Sequence, residues 1–345
     1  LTVNGGNTLF YTNGNSLGTG AVTLSGNSIL RASNSTTTTQ DITVTSGNTG
    51  YVEAVAGTTN TLNGTLTKNG SVLVLGGGGS HVVNGTIVGA NANSDLVVSN
   101  STATINSQST YNGPTYIVSG GSLINGTDNA LPTSTDLILG KSGETSSTTN
   151  SYNLSGKSQT VASLASAGSG VNVITNSTGS ANLTMSSAVN KTLSNLKIGG
   201  NNFTLTKAGA NTVTLGSGNN LSGISTIAIS EGTLLMGAAN QISSGTAVTL
   251  AGGTLNTAGF AGSVGGLTIG ANSSISGLVA AATAGAAGSS DFLFSGIDLS
   301  TYSGGGGSTL NLGGGYSYGQ TINISSSNFT SWSGYSSGNL NTFAD

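Results

Sequence analysis

The side chains that could do chemistry are few. His81 is the only histidine, in Gly-Ser-His-Val-Val, and there is no cysteine. A zinc site built from His and Cys ligands therefore has a single candidate donor, too few to form it. A Ser-His-Asp triad would need His81, but the surrounding charge is missing. No Gly-x-Ser-x-Gly elbow stands between a strand and a helix. Glycoside cleavage needs two carboxyl groups facing one sugar bond, and the ten acids from Asp41 to Asp345 are scattered. Gly76–Gly79 lacks the Lys-Ser/Thr that completes a phosphate loop. The Ca²⁺-binding Gly-Gly-x-Gly-x-Asp repeat is absent. Lys68 and Lys207 recur in Leu-Thr-Lys-x-Gly, which points to a shared structural role, such as an alkyl stem covering a strand. The sequence thus offers no catalytic, cofactor-binding or metal-ligating residue, and the expectation is a protein that is not an enzyme and needs no cofactor.

Composition narrows the partners. Seven Lys/Arg stand against ten Asp/Glu in 345 residues, net charge −3. No basic patch exists to neutralise phosphates, so nucleic acid is not an expected partner. Attraction to an anionic membrane lacks a source too, and no apolar run of 18 residues predicts a spanning helix. Without disulfides the fold must be held by packing and backbone ladders. The first residues, LTVNGG, are neither a signal peptide nor a start methionine, so upstream cleavage or a fragment is expected. Sequons at Asn34, Asn63, Asn84, Asn100 and Asn125 occur about as often as this composition gives by chance.

The elements that would position these residues are short strands. Gly accounts for 57 residues and Pro for 2, while apolar residues arrive in alternating runs such as AVTL and TINI. Alternation buries one side of a strand. Asn-Gly occurs at Asn4, Asn13, Asn63, Asn69, Asn84, Asn112 and Asn125, where positive φ for a tight corner is expected. The Ala-rich stretch 280–287 is short and broken by Gly, so it reads as loop.

Internal repeats set the architecture. Leu9, Asn15 and Leu17 share their offsets with Leu123, Asn129 and Leu131, and with Leu234, Asn240 and Ile242. A β-type run follows each: residues 21–24, 136–139 and 247–250. A second pair is GTLTKNGSVLVLG (64–76) against FTLTKAGANTVTLG (203–216). Asn-Gly is also a hairpin signal, so repeated antiparallel β-sandwich domains are the alternative. The reading preferred is an all-β solenoid (β-solenoid), because stacked coils keep strand offsets and hide sheet edges except at the ends. At roughly 20–25 residues per coil, 345 residues would give about 14–17 coils.

Two parts are expected: solenoid repeats over 1–290, and an aromatic, Gly-rich cap or subunit-contact element over 291–345. Nine of the 17 aromatics, among them Phe329, Trp332, Tyr335 and Phe343, follow residue 290.

Residues 204–255 resemble the autotransporter-associated β-strand repeat: a Leu-Thr-Lys-x-Gly strand, a polar turn, a Thr-x-Ile/Val strand, Gly-Thr-Leu, then a spaced Leu and another strand. Residues 110–140 resemble its middle and end, and residues 1–24 its second half. The resemblance implies a right-handed parallel β-helix, exported as a passenger to a bacterial cell surface and acting as adhesin, matrix or fibre. No membrane barrel can be made from the last 55 residues. The expectation is an extracellular structural protein whose partner is itself. Its copies would join head to tail by strand or coil complementation through Leu1, Val3, Leu9 and Phe10 at one end and Phe329, Trp332, Tyr335 and Phe343 at the other. The alternative is a monomeric adhesin that binds surface glycans. A carbohydrate-active β-helix enzyme is the third reading.

Overall fold

The computed structural model describes residues 1–270 and 273–276, and the strands Phe292–Asp298, Leu310–Asn311, Ile322–Asn323 and Trp332–Ser333. Segment 280–287, Phe329, Tyr335 and Phe343 lie outside the described residues, as does most of 291–345.

Among the described residues every strand ladder is parallel, and they wind as a β-solenoid of about 12 turns. This sets aside the antiparallel sandwich. Register partners confirm the coil length: Thr2 pairs with Thr23, 21 positions on, and Ile42 with Leu66, 24 positions on. Asn13 caps the single short 3₁₀ turn described, Gly14–Leu17.

Three faces run along the axis. The first begins with a six-stranded sheet from Thr2–Val3 to Thr110–Tyr111 and resumes as an eight-stranded sheet from Gln159–Val161. Between them, Ser109 N–H donates to Ala130 O at 3.1 Å and Asn129 N–H donates to Ser158 O at 2.8 Å, so segment 128–131 bridges the two sheets. The second face holds eight strands from Thr8–Tyr11 to Ser163–Ser166, then five from Lys191–Leu193 to Ser274–Ser276. The third holds nine, from Thr36–Thr38 to Asn220–Gly223.

Alternation builds each strand. In Val22–Leu24 and Ile42–Val44 the outer residues are buried and the central threonine is half-exposed. Inward Val, Leu and Ile form one continuous core from Val3 to Ile275. Outward on the first face stand Thr2, Thr23, Thr43 and Thr67 in register, then Thr160, Thr184 and Thr206. β-branched side chains suit this pleated surface.

The repeats mark where a strand is skipped. After Leu9 and Leu234 on the second face, a loop replaces the third-face strand before Val22–Leu24 and Ala247–Leu250 return to the first. After Leu123 on the third face, the loop replaces a first-face strand before Asp136–Leu139. In each loop one apolar residue of the shared pattern, Leu17, Leu131 or Ile242, is buried and fills the core the missing strand would have filled.

The Asn-Gly pairs serve a different purpose from the one their composition suggests. Of the seven, only Gly5 and Gly70 have positive φ. Positive φ falls instead on other asparagines, such as Asn27, Asn100 and Asn195. Gly85 is needed because coils approach closely: a Cβ there would lie 1.8 Å from the Gly64 carbonyl oxygen. Beside it Asn84 Nδ2 donates to Asn63 Oδ1 at 2.8 Å, and Asn106 Nδ2 donates to Asn84 Oδ1 at 2.7 Å, an amide ladder along one corner.

Candidate functional site

Lys68 ends the first-face strand Leu66–Lys68 and points inward, fully buried. Its neighbours in the column are Val44 before it and, after it, Gly89 and then Tyr111. Gly89 has no side chain, so Nζ passes its rung and stands 3.4 Å from the centre of the Tyr111 ring. Nζ also donates to Ser94 O. Tyr111 is buried, and its hydroxyl bonds Thr115 Oγ1 at 2.5 Å, which bonds Thr135 Oγ1 at 3.0 Å. Burial lowers the Lys68 pKa to about 6, opposed by the charge of Asp95. The same burial raises the Asp95 and Tyr111 pKa values. The expected stem-over-strand role for the recurring lysines is therefore corrected: Lys68 crosses the interior.

Lys207 holds the same place in its repeat, on the first face in Phe203–Ala208, stacked between Met185 and Ile229. It too is fully buried. Its Nζ donates to Ala208 O at 3.0 Å, Gly209 O at 2.5 Å and Glu231 O at 3.0 Å, and desolvation lowers its pKa. Both lysines are spent on backbone carbonyls that corners would otherwise leave unpaired.

His81 lies inside the third face, 1% exposed. Its Nε2 is 2.9 Å from Gly76 O, so this nitrogen carries the proton and donates, while Nδ1 is buried without a partner. Desolvation lowers its pKa to about 4. The glycine run cannot cradle a phosphate, because Gly78 N–H donates to Asn100 O and Gly79 N–H to Ala54 O. Glu144 is buried as well: Oε1 accepts from Ser119 N–H at 2.5 Å and Oε2 from Asn150 Nδ2 at 2.6 Å. On the outside, Arg31 pairs with Glu53 and stacks over Phe10 at 5.4 Å. Asn125 is closed to glycan attachment: it is 1% exposed, accepts from the Tyr152 hydroxyl and donates to Gln159 Oε1.

Among the described residues no three His, Cys, Asp or Glu side chains gather as metal ligands, and no helix is long and apolar enough to cross a membrane. A surface depression of about 440 Å³ lies along the first face by Asn182, Thr204 and Thr226. A second of about 340 Å³ lies by Asn220 and Gln241. Both are lined by hydroxyls, amides and one aliphatic side chain each, without a titratable group. Of the residues expected at one subunit end, Leu1 and Phe10 are exposed at 51% and 58%, Val3 is buried and Leu9 packs against the core. Trp332 opens a two-residue strand paired with Leu310–Asn311.

These features define an all-β parallel solenoid whose ionisable interior groups brace its corners. No family model, curated protein or solved structure matches the chain.

Proposed function

We propose that this chain is a non-enzymatic structural protein of the bacterial cell exterior that stacks head to tail, coil on coil, into a fibre or matrix filament. The observation that carries the reading is where the scarce chemical groups point. Lys68, Lys207, His81 and Glu144 face inward and bind the chain's own backbone or amides, while the first face presents in-register threonines. Such a body works through repetition of its backbone, which parallel ladders extend readily. Matching rungs for Leu66-Thr67-Lys68 and Leu205-Thr206-Lys207 support the resemblance to the autotransporter-associated repeat. Parallel, in-register ladders of this kind also suit strand addition between copies. An open, heterologous contact of this kind grows filaments. Deletion of residues 1–10 tests it: sedimentation of the shortened chain should give only short species, whereas polymers of unchanged size would overturn end-on stacking.

A further inference from the structure

Outward on the second face, successive strands present Ile29, Tyr51, Val74, Val97, Tyr116 and Ile138, each in register with the next. Val74 is 9% exposed and the other five are half-buried at the surface. Along the axis the stripe reads Ile-Tyr-Val-Val-Tyr-Ile. It is the same in both directions about the midpoint between Val74 and Val97. The equivalent column of the first face is threonine over most of its length.

A self-complementary patch is what a two-fold contact requires. A two-fold axis parallel to the strands, through that midpoint, lays a second copy on this face with its coils running the opposite way. Val74 then meets the second copy's Val97, Tyr51 its Tyr116 and Ile29 its Ile138. A copy of this chain also carries the same rung spacing of about 4.8 Å, so the match holds along the whole stripe. The flanking charges allow it. Arg31 and Glu53 already neutralise each other and would face the second copy's Gly140 and Val118. Asp95 would face its Val72, and Asp136 its Asn27, so no like charges are opposed. Eight rungs from Thr8 to Ala165 by four residues give roughly 500 Å² of flat face per copy. The pair buries about 1,000 Å², the size at which specific interfaces begin.

We propose that the second face pairs two copies of this chain side by side, antiparallel. This lateral pairing is separate from end-on stacking, and either can hold without the other.

Light scattering on the size-fractionated full chain tests it. The wild type should run at twice its mass of 33.4 kDa or as multiples of a pair. Val97→Lys, which sets a cation against the second copy's Val74, should halve that mass. Thr43→Lys, outward on the first face, should leave it unchanged. Far-UV circular dichroism checks that each variant is folded, and Tyr116→Ser replaces Val97→Lys if that chain unfolds. Orientation follows from cysteines placed in this Cys-free chain. Ile29→Cys mixed with Ile138→Cys should be joined by a short bismaleimide, in free pairs or within filaments. Ile29→Cys alone should not, its two copies lying about 24 Å apart at five rungs. A wild type that is monomeric at every concentration, a pair that survives Val97→Lys, or cross-linking of Ile29→Cys to itself would overturn the proposal. Filaments that persist in Val97→Lys would leave end-on stacking intact.

Discussion

The Lys68 Nζ stands 3.4 Å above the Tyr111 ring, two coils further along the axis, and Gly89 is the rung that lets it through. Burial disfavours the charged form and lowers its pKa to about 6, so at neutral pH the uncharged amine packs on the ring face and donates to the Ser94 carbonyl. Tyr111→Leu removes the ring that Nζ packs on and the hydroxyl of the Thr115–Thr135 chain, so it should destabilise the fold by about 2 kcal/mol. Gly89→Ala should cost at least as much, because its Cβ would lie 2.0 Å from the Lys68 carbonyl oxygen. Thermal unfolding followed by circular dichroism reads both; a midpoint unchanged in either variant would contradict the arrangement.

The same lysine sets a pH dependence. Its folded pKa of about 6 lies below the free value of 10.5. Between those values the unfolded chain binds the proton and the folded chain does not, so stability rises with pH across this window. It falls as pH drops towards 6 and levels below. The charge of Asp95 opposes burial, raises the folded pKa and so narrows the window. Denaturant midpoints across the window should climb in the wild type and flatten in Lys68→Met.

His81 acts at lower pH. Its Nε2–H is committed to Gly76 O, so a second proton must enter at the buried, unpartnered Nδ1. The folded pKa of about 4 lies below the free 6.5. The neutral ring's contribution is complete above 6.5 and is lost as pH falls from 6.5 to 4. His81→Leu should remove this acid slope, seen in urea midpoints at successive pH values.

The corner ladder gives a smaller, local effect. Asn84 accepts from Asn106 and donates to Asn63, at an exposed edge. Asn84→Asp keeps the acceptor and loses the donor, setting a carboxylate beside Asn63 Oδ1. The expected loss is about 1 kcal/mol, whereas Gly85→Ala, which drives a methyl into the Gly64 carbonyl, should cost several times that. Comparing the two by chemical denaturation separates ladder from packing.

Much of this fold was legible from local pattern. Val22-Thr23-Leu24 alternates, and alternation names the inward side without knowing what lies above it. The Leu-Thr-Lys recurrences mark equivalent rungs because the same strand returns to the same face. Other features depend on which residues stack, and partners 19 to 30 positions apart, such as Leu96 with Thr115 and Gly262 with Phe292, are not fixed by any one strand. Lys68 looks like a surface residue until Gly89 and Tyr111 are placed over it. Asn84-Gly85 looks like a tight turn until the Gly64 carbonyl is seen beneath it. The six-residue stripe from Ile29 to Ile138 is spread over 110 residues and forms only once the coils are in register.

Head-to-tail assembly is tested most directly by fibre diffraction from aligned filaments of the purified chain. Coils stacked end on keep their rungs perpendicular to the filament, so a reflection at about 4.8 Å should lie along the filament axis. Filaments whose 4.8 Å reflection lies across the axis, or a chain that forms only isolated rods at every concentration, would contradict it.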